Sequence, residues 1–165
     1  MTADDFPADR ELVFTRVFDA PPSAVFRGWT DPAWLVQWFT PPPWQTVRVV
    51  NDVRTGGSTR TLMRGPDGTE MDNPGVYLEV DAPHRLVFTD AFTHAWAPSG
   101  KPFMVGILAF DDDGAGGTRF TARLRHWSVD DRAAHEAMGF PGGWEIAHEQ
   151  LAELLRREGI GRGPA

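Results

Sequence analysis

Four side chains in this sequence are placed where they could orient a small molecule or move a proton: Tyr77, Asp90, His126 and His148. An imidazole titrates near neutral pH, and a carboxylate held against apolar surroundings has its pKa raised into the range of a useful base. Asp90 sits inside the apolar run LVFTDAF, although a carboxylate in such a run more often faces solvent or pairs with an arginine. His126 alternates with Arg123 and Arg125, so as part of a strand it shares a face with Phe120 and Leu124 while the arginines face water. His148 follows Trp144 by four residues and precedes Leu151 by three, the spacing that puts all three on one face of a helix. There it either gives a pocket one polar group or ends as a core-edge histidine with a satisfied hydrogen bond. No pair among the four has a spacing that compels proximity, so spacing alone assigns no catalytic residue.

Other chemistries are excluded more firmly. The five histidines, His84, His94, His126, His135 and His148, never form HExxH or a similarly tight pair, and no cysteine joins them, so no metal is expected. Asp111, Asp112 and Asp113 lack the spaced ligands and closing glutamate of a calcium loop. Gly114, Gly116 and Gly117 precede a strand pattern and not a helix, which removes a dinucleotide fingerprint. There is no nucleophile elbow and no phosphate-binding loop, and no cofactor is expected.

The element that must carry His148 is FPGGWEIAHEQLAELLRRE, Phe140 to Glu158. Trp144, Ala147, Leu151, Leu154 and Leu155 recur at steps of three and four, while Glu145, Glu149, Glu153, Arg156 and Arg157 take the other face. Pro141 suits the first turn of such a helix and Gly159 its end. Nearly everything before it reads as strands that this helix would cover. Glu11 to Phe18 is the first, followed by two short helices opened at Pro21-Pro22 and at Thr30-Asp31-Pro32, the second running Ala33 to Trp38.

Strand patterns continue at Trp44 to Val50, with Val47 and Val49 alternating against Thr46 and Arg48, then at Ser58 to Arg64 and Thr69 to Val80. Asn73-Pro74-Gly75 predicts a bulge or bend inside the last of these. Arg85 to Phe92, Phe103 to Phe110 and Thr118 to Trp127 complete the strands, the last two joined by an Asp- and Gly-rich hairpin. Thr93 to Lys101 is a loop that could close over a pocket. Ser128 and Asp131 start a helix through Met138, with Ala133, Ala134, Ala137 and Met138 expected inward. The plan is α+β: a curved antiparallel sheet of about seven strands, two short helices after the first strand, and a long C-terminal helix across the concave face.

Composition agrees with one folded domain. The 165 residues are 41% hydrophobic with seven Trp and eleven Phe, which excludes disorder. A net charge of -7 opposes phosphate binding, so no nucleic-acid partner is expected. The absence of cysteine fits a reducing compartment. The acidic N-terminus is unlike a signal peptide and no apolar run reaches membrane-spanning length, so a cytoplasmic protein with no membrane association is expected. Residues 1–9 and 159–165 are expected to be flexible tails on a domain spanning 10–158.

Four stretches, FDAPPSAVFRGWTDPAWLVQWF (18–39), GTEMDNPGVYLEVDAPHRLVFTD (68–90), FDDDGAGGTRFTARL (110–124) and MGFPGGWEIAHEQLAELL (138–155), together resemble the START-like (SRPBCC, Bet v 1-like) superfamily. Within it the chain is similar to the activator of Hsp90 ATPase homology family, from Glu11 to Glu158. The resemblance implies a helix-grip fold, a seven-stranded sheet around a C-terminal helix, usually with an apolar cavity. Family functions range over ligand binding and transport, aromatase and cyclase chemistry, and co-chaperone work. The eukaryotic activators of Hsp90 carry this domain behind a separate N-terminal domain that makes much of the chaperone contact. The present length leaves no room for that second domain, which argues against chaperone contact.

The expectation that follows is a carrier or sensor for a small hydrophobic or aromatic molecule held between sheet and long helix. The pocket candidates are Trp44, Met63, Tyr77, Phe88, Asp90, Met104, Leu108, Leu124, His126, Met138, Phe140, Trp144 and His148. Core packing is the commoner role for any one of the seven tryptophans, and Trp44 and Trp144 are those assigned to the cavity border. The alternatives are an aromatase-, cyclase- or hydrolase-like enzyme using the same pocket, and a stress-related interaction or co-chaperone module. A homodimer is compatible with the sequence.

Overall fold

Leu12, Phe14 and Phe18 turn inward from β1 (Glu11–Phe18) while Val13 and Val17 stay exposed, the period-two pattern of an edge strand with one wet face. This computed structural model describes residues 5–164. Residues 1–4, in the N-terminal stretch expected to be flexible, and Ala165 lie outside the described residues. Ahead of β1, Phe6 lies against the guanidinium groups of Arg10 and Arg125 at 5.1 and 4.7 Å.

Pro22 opens α1 (Pro22–Thr30), and Asp31 caps α2 (Pro32–Trp38) by accepting a hydrogen bond from the amide of Ala33. Then come β2 (Gln45–Asn51), β3 (Ser58–Arg64), β4 (Glu70–Asp81), β5 (Arg85–Thr89), the short β6 (Phe92–His94) and β7 (Ala97–Pro98), β8 (Met104–Asp112) and β9 (Thr118–His126). The chain closes with α3 (Val129–Ala137) and α4 (Gly142–Arg157).

Seven strands form one antiparallel sheet in the order β1-β9-β8-β5-β4-β3-β2. The two edge strands are therefore those that flank α1 and α2 in sequence. The long helix buries Ala147, His148, Leu151, Ala152, Leu154 and Leu155, the stripe that its spacing predicts. At its end Gly159 has φ of 75°, which only glycine adopts without strain. The helix packs on Phe14, Phe18, Phe110 and Phe120 of the sheet and on Trp29 and Trp38 of the short helices.

The contact between α1 and α4 depends on Gly28. A Cβ at this position would lie 2.6 Å from Cδ1 of Leu151, which is fully buried and has no free direction to move. Gly28→Val is therefore expected to cost about 1 to 3 kcal/mol through overpacking, read as a lower urea midpoint with an unchanged slope.

Three local expectations are corrected. The register of β2 against β3 shifts between Thr46 and Arg48, so Thr46 turns inward with Val49. Its hydroxyl then meets that of Thr40 at 3.1 Å, which lets a polar side chain occupy an inward position. In β4, Asn73, Pro74 and Gly75 pair regularly with Thr61, Arg60 and Thr59, and the irregularity falls between Tyr77 and Glu79. Finally, Ala133, Ala134, Ala137 and Met138 of the α3 segment are all exposed, Met138 by 69%. The side that docks carries Arg132, which reaches the carbonyl of Glu11, and His135, which meets His126. Polar contacts seat this helix, with the Phe103 ring against His135 beside them.

Candidate functional site

Within α4 the His148 imidazole is 1% exposed, and its Nδ1 lies 2.7 Å from the carbonyl oxygen of Trp144 one turn earlier. A carbonyl can only accept, so Nδ1 carries the proton and Nε2 presents a bare lone pair. That Nε2 is buried with no hydrogen-bond partner among the described residues. Six rings surround the imidazole: Phe14 at 4.7 Å, Phe120 at 5.1 Å, Trp38 and Trp144 at 5.2 Å, Trp29 at 5.7 Å and Phe18 at 6.2 Å between centroids. Burial pushes the histidine down to about 4, outweighing the Trp144 carbonyl, which favours the charged form. It is a neutral acceptor at pH 7.

A second orphan lies beside it. Trp29 Nε1 is buried without a hydrogen-bond partner among the described residues, whereas the neighbouring Trp38 Nε1 donates to the carbonyl of Gly28 at 2.8 Å. Trp29 is stacked between Phe120, at 5.8 Å and 18°, and Phe88, at 6.2 Å and 28°. Its ring is fixed by its neighbours, so an unpaired donor and an unpaired acceptor sit on adjacent rings inside one aromatic cage. Trp144 covers the cage: it is half-buried, stacked on His148 at 16°, and backed by Phe140 at 5.9 Å.

The other pocket candidates divide among several places. Phe88, Phe140, Trp144 and His148 belong to the cage or its border, and Leu108 and Tyr77 lie in the same core. Burial pushes the Tyr77 phenol up to about 12, against a hydrogen bond with the Thr59 side chain. Leu124 is fully buried beside Leu12 of β1. Trp44 packs over Gly65, where a Cβ would meet the indole at 3.0 to 3.2 Å, and Met63 pairs in register with Thr46. Asp90 accepts hydrogen bonds from the amides of Phe103 and Met104 at 2.9 and 3.1 Å, so its carboxylate pins the start of β8. Met104 is half-buried opposite His126, and Met138 is on the surface.

His126 belongs to a different cluster. Its Nδ1 lies 3.1 Å from the carbonyl of Arg10 and its Nε2 lies 2.9 Å from Nδ1 of His135, with Phe103 against both rings. The Arg10 carbonyl accepts from Nδ1 of His126, so Nε2 of His126 accepts from His135. Burial, and then the neighbouring imidazole, lower His135 to about 4. No group of three or more His, Cys, Asp or Glu able to hold a metal ion occurs among the described residues. Nor is any described helix long and apolar enough to cross a membrane.

The segment 93–101 folds as a small hairpin, with β6 paired to β7. Ala95 and Trp96 have φ of 40° and 64°, the pair of left-handed residues that a tight hairpin turn uses. Trp96 lies over Gly56 and edge-on to Phe92, so the loop closes over the turn between β2 and β3.

Two of the surface depressions among the described residues are lined by neither His148 nor Trp29. One, of about 160 Å³, lies over Arg48, Val50, Arg60, Leu62 and Asp72 on the outer face of the sheet. The other, of about 70 Å³, follows the seam between β1 and the end of α4. The concave face itself is occupied by the rings of the cage. Trp29, Phe14, Phe18, Trp38 and Phe120 complete that cage and were not among the sequence-based candidates. Spacing assigns Trp29 to the buried side of α1, but no sequence signal tells a satisfied indole from an orphaned one. His135 was missed as well, although the two-residue link from β9 to α3 folds it back onto His126.

The sequence profile of the family described as Activator of Hsp90 ATPase homolog 1-like protein matches residues 19–156. Among solved structures, protein NE0264 from Nitrosomonas europaea is 35% identical with a TM-score of 0.89, over 93% of this chain and 99% of that one. Protein Ms6760 from Mycobacterium smegmatis is 29% identical with a TM-score of 0.71, over 89% and 91% of the two chains. An AHSA1-like protein from Aeromonas hydrophila, 19% identical with a TM-score of 0.71 over 94% and 98%, shares the fold. The comparison with curated proteins gives no match.

Proposed function

The chain belongs to the Activator of Hsp90 ATPase homolog 1-like family, and on that premise we propose that it is a carrier or sensor that binds a small aromatic molecule between the sheet and α4. The observation that supports this reading is the lone pair of His148 Nε2, buried and unpaired at the centre of six rings. Such a group costs about 1 to 3 kcal/mol relative to a satisfied one, and a purely structural core avoids it with an apolar side chain. Aromatic walls with one or two convergent polar groups are the composition of a small-molecule pocket. Trp144 serves as the door. It stands in the first turn of α4 and keeps part of its surface open to solvent, so a guest would reach the imidazole by taking its stacking position.

Binding and not turnover is favoured because the cage holds a single titratable side chain, with no second acid or base beside it, and burial lowers it to about 4, which leaves it a weak base. Asp90, Tyr77 and His126 are each engaged in hydrogen bonds elsewhere. A neutral aromatic dye such as N-phenyl-1-naphthylamine is expected to bind at micromolar strength, to quench tryptophan emission and to raise the melting temperature. In His148→Gln the affinity should fall by only about 0.5 to 1.5 kcal/mol, the worth of one hydrogen bond. A panel of apolar ligands that neither quenches nor stabilises would remove the reading. Turnover of a bound compound, lost in His148→Gln with binding intact, would replace it with the enzyme alternative.

A further inference from the structure

Resting on the reading above, we propose that the ligand is a phenol, whose hydroxyl accepts from Trp29 Nε1 and donates to His148 Nε2. The two unpaired atoms restrict the chemistry of any group that would satisfy both. Trp29 Nε1 can only donate, and His148 Nε2 can only accept while Nδ1 holds its proton against the Trp144 carbonyl. A group that satisfies both must give one hydrogen and take another. A hydroxyl does so through a single oxygen. The rings that carry the two atoms are neighbours, 5.7 Å apart between centroids.

Charged alternatives fit poorly. A carboxylate accepts only, so it would face the His148 lone pair unless the imidazole took up a proton, and burial opposes that protonation at neutral pH. An ammonium donates only and would meet the Trp29 N–H head-on. The cage rings Phe14, Phe18, Trp29, Trp38, Phe120 and Trp144 supply no counter-ion, and the nearby Arg16 guanidinium, over the Phe18 ring at 5.2 Å, is already paired with Glu149 at 2.7 Å. The aromatic walls select a ring for the body of the ligand, and a ring-borne hydroxyl is a better donor to imidazole nitrogen than an aliphatic one.

The test is a matched set of toluene, phenol, benzoate and benzylamine, titrated at pH 7 into the full chain and into Trp29→Phe and His148→Leu, with binding read by calorimetry and by ligand-observed NMR. Phenol should bind the parent about tenfold more tightly than toluene, with benzoate and benzylamine weaker than both. In Trp29→Phe, which keeps the ring and removes only the donor, the advantage of phenol over toluene should shrink while toluene binding persists. His148→Leu should act the same way from the acceptor side, and either folded variant suffices for the comparison. Toluene equal to phenol in the parent, benzoate or benzylamine the tightest of the four, or an unchanged phenol advantage in a folded variant would each overturn the hydroxyl assignment and leave the aromatic-ligand reading standing. Binding of none of the four to the parent would overturn both.

Discussion

Leu151→Ala is expected to lower the free energy of unfolding by about 2 to 5 kcal/mol, the range for a buried large-to-small change whose surroundings relax only partly. Leu151 has no exposed surface and lies at the middle of α4, where its Cδ1 meets the backbone of Gly28. Both neighbours resist collapse into the space. Gly28 has no side chain to offer, and the rings around His148 hold one another through stacked and edge contacts. The urea midpoint should drop with the slope unchanged. Glu149→Ala, two residues away on the opposite face, is the control. Glu149 bridges Arg16 at 2.7 Å and Arg156 at 3.0 Å in water-exposed pairs, so its loss should cost about 0 to 1 kcal/mol. Equal effects of the two substitutions would mean that α4 does not organise the core.

That contrast is legible in the sequence, because a helix repeats every 3.6 residues whatever it packs against. Trp144, Ala147, Leu151, Leu154 and Leu155 state the buried stripe, and the strands of the sheet declare themselves through β-branched residues between turn signals. Bulges were not legible. An extra residue in β2 moves Thr46 inward and depends on how Gln45–Asn51 and Ser58–Arg64 align, which neither segment encodes alone. The face of α3 was misread for a related reason. Its alanines look like a packing stripe, but the surface it meets offers the His126 nitrogen and the Glu11 carbonyl, so Arg132 and His135 turn inward.

At the candidate site, the helical spacing of Trp144, His148 and Leu151 placed the imidazole toward the concavity correctly. The sequence could not show that Nδ1 would be claimed by the helix's own carbonyl, leaving Nε2 as the only free atom. Asp90 illustrates the converse. A carboxylate in an apolar strand has the look of a buried base, yet two backbone amides of the β8 entry take its oxygen. Which hydrogen bonds a polar side chain makes is a property of loops and registers that meet from distant parts of the chain.

Acidification from pH 7 to about 4.5 is expected to destabilise the protein, with His148 as the largest contributor. Both His148 and His135 have folded values of about 4, below the ordinary 6.5 of an unfolded histidine. Between those values the unfolded chain binds protons that the folded chain excludes, so the stability they confer is full above pH 6.5 and is lost as the pH falls toward 4. For His148 the loss at pH 4.5 is about 2 to 3 kcal/mol. His135 is partly open to solvent and adds less. The carboxylates of Asp72, Asp113 and Glu149 are all lowered by hydrogen bonds, chiefly from Arg60 for Asp72, from the Ala115 amide for Asp113 and from Arg16 for Glu149. Their stabilising effect is lost only as the pH falls below their unfolded values near 4, so it belongs to a lower window. Urea melts at pH 7, 6, 5 and 4.5 separate the two. In His148→Gln, which fills similar space and does not titrate, the decline between pH 6.5 and 4.5 should shrink by more than half. An unchanged decline in that variant would mean that the caged imidazole takes up its proton in the folded protein as readily as in the unfolded chain, and that burial does not hold it neutral through this pH range.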